Sequence, residues 1–247
     1  MATGLPRPEP AGFGNCGSCA YAATGPAEIC YPCAKSGVEP VAKNRCMICD
    51  QTLSTPGAKC RNSICRSPHR YFDMSYAIAM KTGPLEEAIH QFKFRGKWGW
   101  GMVFARVLNG YLYENSQLLE SDAIIIPSPA YVPASASVHD DHARWVVQQA
   151  AEEDDQGLPY VWDPPLVVKT KPTRKLKSLG GSERSVERNA IRDSLVVPES
   201  ARLNGRTIWV FDDVFTTGST LDAVAEVLKH AGAASVFGLT LSRQPYW

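Results

Sequence analysis

Eight cysteines, all between positions 16 and 65, are the densest group of reactive side chains in this 247-residue chain. They fall as Cys16-x2-Cys19, Cys30-x2-Cys33, Cys46-x2-Cys49 and Cys60-x4-Cys65. A CxxC turn aims two thiolates at one point, and two such turns complete a closed tetrahedral Zn²⁺ site. Two structural Zn²⁺ ions are therefore expected. Their pairing stays open. A sequential arrangement puts Cys16, Cys19, Cys30 and Cys33 on one ion and Cys46, Cys49, Cys60 and Cys65 on the other. A cross-braced one joins the first turn to the third and the second to the fourth. The sequential form is favoured, because each half then makes a small ribbon. His69, four positions after Cys65, is either a substitute ligand or, more simply, a surface residue.

The second reactive group is Val210-Phe211-Asp212-Asp213-Val214-Phe215-Thr216-Thr217-Gly218-Ser219-Thr220. A hydrophobic strand ends in two carboxylates, a hydroxyl-rich loop surrounds one glycine, and a helix follows. Leu221, Val224, Ala225 and Leu228 are its apolar face. A helix N-terminus presents unpaired N–H groups and a partial positive charge, so it attracts an anion. Gly218 lets the backbone approach closely, and Thr216, Thr217, Ser219 and Thr220 add hydroxyl donors. This describes a phosphate cradle at the carboxyl end of a parallel strand, where open α/β sheets place ligands. The GxxxxGK[ST] loop is absent. Two carboxylates beside a phosphate make sense if they face sugar hydroxyls or a divalent metal.

Positioning these groups requires a sheet. Residues 71–80 read as extended. Pro84 opens a helix through Leu85, Ala88, Ile89 and Phe92, and 102–113 continue as a second helix. Residues 123–126 form a short unbroken apolar run, the mark of a buried parallel strand. A helix is expected over 139–151, a solvated connection to Pro165, a strand at 166–168 and a helix over 182–192. Strand 208–211, helix 221–231 closed by Gly232, and strand 235–241 complete the chain. Strand and helix alternate, which predicts an α/β fold with a doubly wound, mainly parallel sheet.

Composition sets the frame: 44% hydrophobic, 21% charged, formal net charge +1. It excludes wholesale disorder, a collagen-like repeat and a coiled coil. No apolar run approaches the roughly 20 residues of a membrane span. The first residues lack an export signal's apolar core, so a cytoplasmic, reducing location is expected, where thiols bind metal rather than pair. The near-zero total hides two basic stretches. Residues 1–70 carry eight Lys+Arg against four acids, and 169–188 carry seven against two. Residues 1–70 are too poor in large apolar side chains to fold on a core alone, so metal must supply much of their folding energy. They read as one domain and 71–247 as another.

The 210–220 segment closely resembles the phosphoribosyl-pyrophosphate (PRPP) signature of type I phosphoribosyltransferases. That resemblance implies that Asp212 and Asp213 lie along the ribose hydroxyls near Mg²⁺, and that Thr216, Thr217, Gly218, Ser219 and Thr220 hold the 5′-phosphate. With the cysteine module and Phe92-Lys93-Phe94-Arg95-Gly96, the chain resembles the competence-associated ComF family. Ile126-Pro127-Ser128-Pro129 then matches the pyrophosphate loop, giving Pro127 and Ser128 a binding role. Residues 169–188 match the mobile loop, with Lys171, Arg174 and Lys175 closing over the leaving group. Where that family has an RGFNQ segment, this chain has His139-Asp140-Asp141-His142-Ala143-Arg144. These histidines and acids are either metal ligands or, more simply, a helix start.

The implied reaction transfers phosphoribosyl from Mg-PRPP to a nitrogenous acceptor that the sequence does not identify, with release of pyrophosphate. The alternative is a PRPP- or nucleotide-sensing protein that binds single-stranded nucleic acid, in line with the family's link to DNA uptake. On that reading Trp98 and Trp100, beside Lys93, Arg95 and Lys97, stack on bases; packing in the core is the competing role for both.

Overall fold

The computed structural model describes residues 38–173, 181–199, 201, 203 and 205–245. Cys16, Cys19, Cys30 and Cys33, and the loop residues Arg174 and Lys175, lie outside these.

Four strands build the main sheet: β1 (Ser75–Met80), β2 (Ile124–Pro127), β5 (Thr207–Phe215) and β6 (Ser235–Arg243). Their order is β1-β6-β5-β2, and every pairing is parallel. Side chains alternate across a strand, so each strand feeds two cores. Trp209, Phe211, Leu239 and Leu241 face one side with Ile125, while Ile208, Val210 and Val236 face the other with Ile124 and Ile126.

Helices cover both faces. On the first lie α1 (Gly83–Phe94), α2 (Trp100–Glu114) and α3 (His142–Glu153), through Leu85, Phe92, Phe104, Leu108 and Val147. On the second lie α4 (Gly181–Arg192) and α5 (Ser219–His230), through Ile191, Leu221, Val224 and Leu228. Each such buried aliphatic side chain contributes ~2 kcal/mol. The fold is thus the doubly wound, mainly parallel α/β sheet that strand–helix alternation predicts.

Three local expectations change. The acids do not end their strand: β5 runs through both to Phe215, because β6 extends to Arg243 and keeps pairing with it. The strand expected at 166–168 leaves the main sheet. It shrinks to β3 (Val168–Lys169), antiparallel to β4 (Leu195–Val196). Pro164 and Pro165 just before it have no N–H to give a ladder. The stretch after α3 is not simply solvated. Tyr160 adds a parallel bridge to Ile125, and its hydroxyl donates to Asn109 Oδ1 at 2.6 Å.

The cysteine-bearing segment packs directly on the sheet. Cys46, Cys49 and Cys60 belong to the second core with Phe72 and Phe215. Ser75 N donates to Ile48 O and Ala77 N to the Asp50 carboxylate, each at 2.8 Å. Asp50 takes a left-handed φ of 54°, which closes the knuckle so that its own N–H reaches Cys46 O.

Candidate functional site

The 216–220 loop forms where β5 gives way to α5. Gly218, at φ 86°, is the N-cap of α5, and a Cβ there would sit 2.7 Å from Phe215 Cζ. Only glycine fits that turn. Gly218 has no side chain to cap α5, and Thr217 Oγ1 accepts from Ser219 N at 3.3 Å. Thr217 Oγ1 and Ser219 Oγ are 3.0 Å apart and pre-shape the loop. Gly238 of β6 lets the helix approach closely, since a Cβ there would meet Leu221 at 2.5 Å.

One narrow cavity is lined by Ser128, Asp212, Thr216, Gly218, Ser219 and Thr220. The structure therefore brings the end of β2, Asp212 and the 216–220 loop around one cavity, while Asp213, the next residue on β5, is buried against Lys93 outside it. Ser128 is fixed by its N–H on Phe211 O at 2.7 Å, across the β2–β5 seam. Pro127 ends β2 beside it. Beyond Ser128 a cleft of about 490 Å³ opens between Pro127, Arg144, Gln148, Trp162 and Lys169. Arg144 lies over the Trp162 ring at 5.6 Å and pairs with Asp163 at 2.7 Å. Lys171 is exposed just past β3 and contributes no contact to either cavity.

The two acids are not equivalent. Asp213 is buried and ion-pairs with Lys93 Nζ at 2.5 Å. Burial opposes its charge, but the Lys93 ammonium, with help from Asp212 and His142, outweighs it and holds Asp213 below the usual carboxylate range. Asp212 lines the cavity without such a partner. Burial, then the Asp213 charge, push it up to about 7. Two interacting carboxylates share their titration, so the pair holds one firm negative charge and one that changes near neutrality.

Lys93 enters the sequence reading only as a member of the Phe92–Gly96 motif and a neighbour of Trp98 and Trp100, which does not anticipate its pairing with Asp213. It sits in the last turn of α1, next to the buried Phe92. Its signal was visible: a lysine at the end of an amphipathic helix, inside the Phe92–Gly96 motif. His142 rests edge-on against Phe92 at 5.0 Å and adds to the field on Asp213. The histidine segment is otherwise a helix start: Asp141 accepts from Arg144 N, and Ser137 with Asp140 forms a capping box. Trp100 is a core residue, whereas Trp98 is 40% exposed and stacks on His139.

Among the described residues, Cys46, Cys49, Cys60 and Cys65 form the group able to hold a metal, with their sulfurs within 4.8 Å of one another. Tetrahedral Zn–S bonds of about 2.3 Å set neighbouring sulfurs about 3.8 Å apart. Cys49 and Cys60 Sγ are 3.8 Å apart. The thiols share protons: bonds from Cys49 and Cys65 hold Cys46 well below the usual thiol range, and the bond to Cys46 pushes Cys49 up to about 11. The donor set fits one Zn²⁺ bound by the third and fourth cysteine pairs, as the sequential arrangement requires. His69 is exposed and outside the group.

Helix α5 is also tied to the far stem of the basic loop. Arg188 of α4 pairs with Asp222 at 2.5 Å and Glu226 at 2.7 Å. Among the described residues no helix is long and apolar enough to cross a membrane.

No protein-family model matches the chain, and no curated protein sequence matches it. Two crystal forms of a hypoxanthine phosphoribosyltransferase from Staphylococcus aureus are similar in structure. One is 12% identical and covers 57% of this chain and 61% of its own, with a TM-score of 0.32. The other is 10% identical and covers 59% and 73%, with a TM-score of 0.34. The chain thus spans less than two thirds of the first. The α/β assignment stands on the strand order and pairing described above.

Proposed function

We propose that this protein is a phosphoribosyltransferase of the ComF kind, binding Mg-PRPP and transferring its phosphoribosyl group to a nitrogenous acceptor. One observation carries the reading: Ser128, Asp212 and the N-terminus of α5 line one cavity at the carboxyl ends of adjacent parallel strands. The α5 N-terminus and the hydroxyls of Thr216, Thr217, Ser219 and Thr220 hold the 5′-phosphate. Asp212 and Asp213 accept from the ribose hydroxyls, with Lys93 keeping Asp213 charged. Asp212, lacking a cationic partner as close as Lys93 is to Asp213, is the carboxylate that would face a substrate-borne Mg²⁺, which would offset charge on the pyrophosphate. Pro127 and Ser128 flank the leaving group, and Lys171, Arg174 and Lys175 close over it and exclude water. The cleft past Ser128 has room for an acceptor. The chemistry is positioning and electrostatics, so no nucleophilic side chain is required.

The test is incubation with Mg-PRPP and candidate bases, reading pyrophosphate. Release in wild type and loss of at least about 100-fold in Asp212→Asn plus Asp213→Asn is expected. PRPP binding without release for any acceptor sinks the transferase and leaves a sensor.

A second reading is favoured by the surface beside α1. Phe94 is 73% and Trp98 40% exposed, next to Arg95 and Lys97. Such a basic, aromatic patch suits single-stranded nucleic acid. Binding that weakens steeply with salt supports it, and salt-independent or absent binding removes it.

A further inference from the structure

We propose that the metal knuckle is the mount of the phosphate loop, and that Arg243 and Asn62 are the positioning residues that make loop geometry depend on the bound ion. The proposal rests on reading 216–220 as an anion cradle.

The four ligands sit on two turns, 46–49 and 60–65. Each turn reaches the loop by its own link. From the first, the Cys49 carbonyl accepts from Arg243 Nε at 2.8 Å, and Cys49 Sγ lies 3.6 Å from Nη2. The same guanidinium donates through Nη1 to Phe215 O at 2.9 Å and Thr216 O at 3.0 Å. It is wholly buried, over the Phe215 ring at 4.8 Å. From the second turn, Asn62 Nδ2 donates to Thr217 O at 3.1 Å while its Oδ1 accepts from Ile64 N. Ile64 Cγ2 lies 3.4 Å from where a Gly218 Cβ would stand.

Three consecutive carbonyls, those of Phe215, Thr216 and Thr217, are therefore reached by Arg243 of β6, which is bonded to the first metal turn, and by Asn62 of the second, while Phe215 O also accepts from Gln244 N at 3.0 Å. A peptide's C=O and the following N–H point in opposite directions. Fixing these carbonyls toward the knuckle turns the N–H groups of Thr216, Thr217 and Gly218 away from it, as an anion-binding nest needs. The ion draws the two turns together, so its removal frees both links at once. A coordinated thiolate is also anionic, which gives the buried Arg243 a counter-charge.

The test uses the full-length zinc-loaded protein, with amide exchange at 215–219 and titration with ribose 5-phosphate as readouts. The Asn62→Asp variant keeps the acceptor for Ile64 and removes the donor to Thr217; Arg243→Lys keeps the charge and loses the fork. Both should retain zinc at wild-type stoichiometry, exchange the loop amides about tenfold faster, and bind ribose 5-phosphate about fivefold more weakly. Chelation of wild type should reproduce the effect, and should add less to either variant. Unchanged loop exchange in both zinc-loaded variants, or in folded metal-free wild type, overturns the coupling. If chelation unfolds the chain, the zinc-loaded variants alone decide. Faster exchange without ribose 5-phosphate binding in any form keeps the coupling and removes the phosphate reading instead.

Discussion

The acidic pair and the cysteine cluster are two buried groups of potential anions, and they are neutralised differently. Asp213 is balanced by Lys93, a cation of the chain itself. The four thiols have Arg243 beside Cys49 and together form a donor set that fits a cation from outside the chain. A group balanced by an outside ion can serve as a joint between the segments that carry its ligands. A group balanced from within can leave its second carboxylate, Asp212, facing a cavity and available to a ligand. The first arrangement suits a structural role, and the second leaves a carboxylate exposed to a cavity.

The comparison breaks most visibly at the metal. Cys49→Ser, or chelation, should cost the largest part of stability, at least ~4 kcal/mol, because binding energy is folding energy here. Thermal unfolding with and without added zinc checks it; an unchanged Tm means the cluster needs no ion.

Removing the internal cation comes next. Lys93→Met leaves Asp213 buried and unpaired, at a cost of ~3 kcal/mol. Lys93→Arg should recover much of it. If Met and Arg variants melt alike, the pair contributes packing and not charge balance.

Gly218→Ala is expected to cost ~2 kcal/mol from the left-handed backbone and the approach to Phe215. Its larger effect falls on binding, since the loop must shift. Calorimetry with ribose 5-phosphate separates the two losses; unchanged affinity would mean that the loop is not the phosphate site.

The smallest effect is on pH. Asp212 is raised to about 7, so the folded state holds more protons than the unfolded chain from about pH 4 to 7. Stability should therefore fall as pH rises through that window and then level off. Ligand affinity should move the other way, rising through pH 7 as Asp212 ionises to accept ribose hydroxyls. Both slopes should flatten in Asp212→Asn; an unchanged profile there assigns the titration to another group.

Much of this was legible along the chain. Helix α5 follows from Leu221, Val224 and Leu228 at helical spacing, and Gly232 ends it. The buried strands follow from apolar runs such as 123–126. The strand–loop–helix turn at 210–220 follows because strand, acids, hydroxyls, glycine and helix are contiguous. Trp98 and Trp100 were not separable: they are two residues apart on one turn, and only packing made Trp100 core and left Trp98 at the surface. The length of β5 was also hidden, because the extra residues pair with a partner strand whose own end, Arg243, looks too polar to bury.

The sequence by itself determined the local chemistry: which residues offer thiols, which glycine turn opens a helix after a strand, and which periodicity makes a helix or a buried strand. These depend on neighbours within a few positions. Only the tertiary structure decided which charges meet. Lys93 reaches Asp213, Asn62 reaches Thr217 and Arg243 reaches Cys49 across long stretches of chain. Electrostatic and hydrogen-bond energies depend on distance in space, and the parallel sheet sets that distance by bringing the carboxyl ends of its strands to one edge.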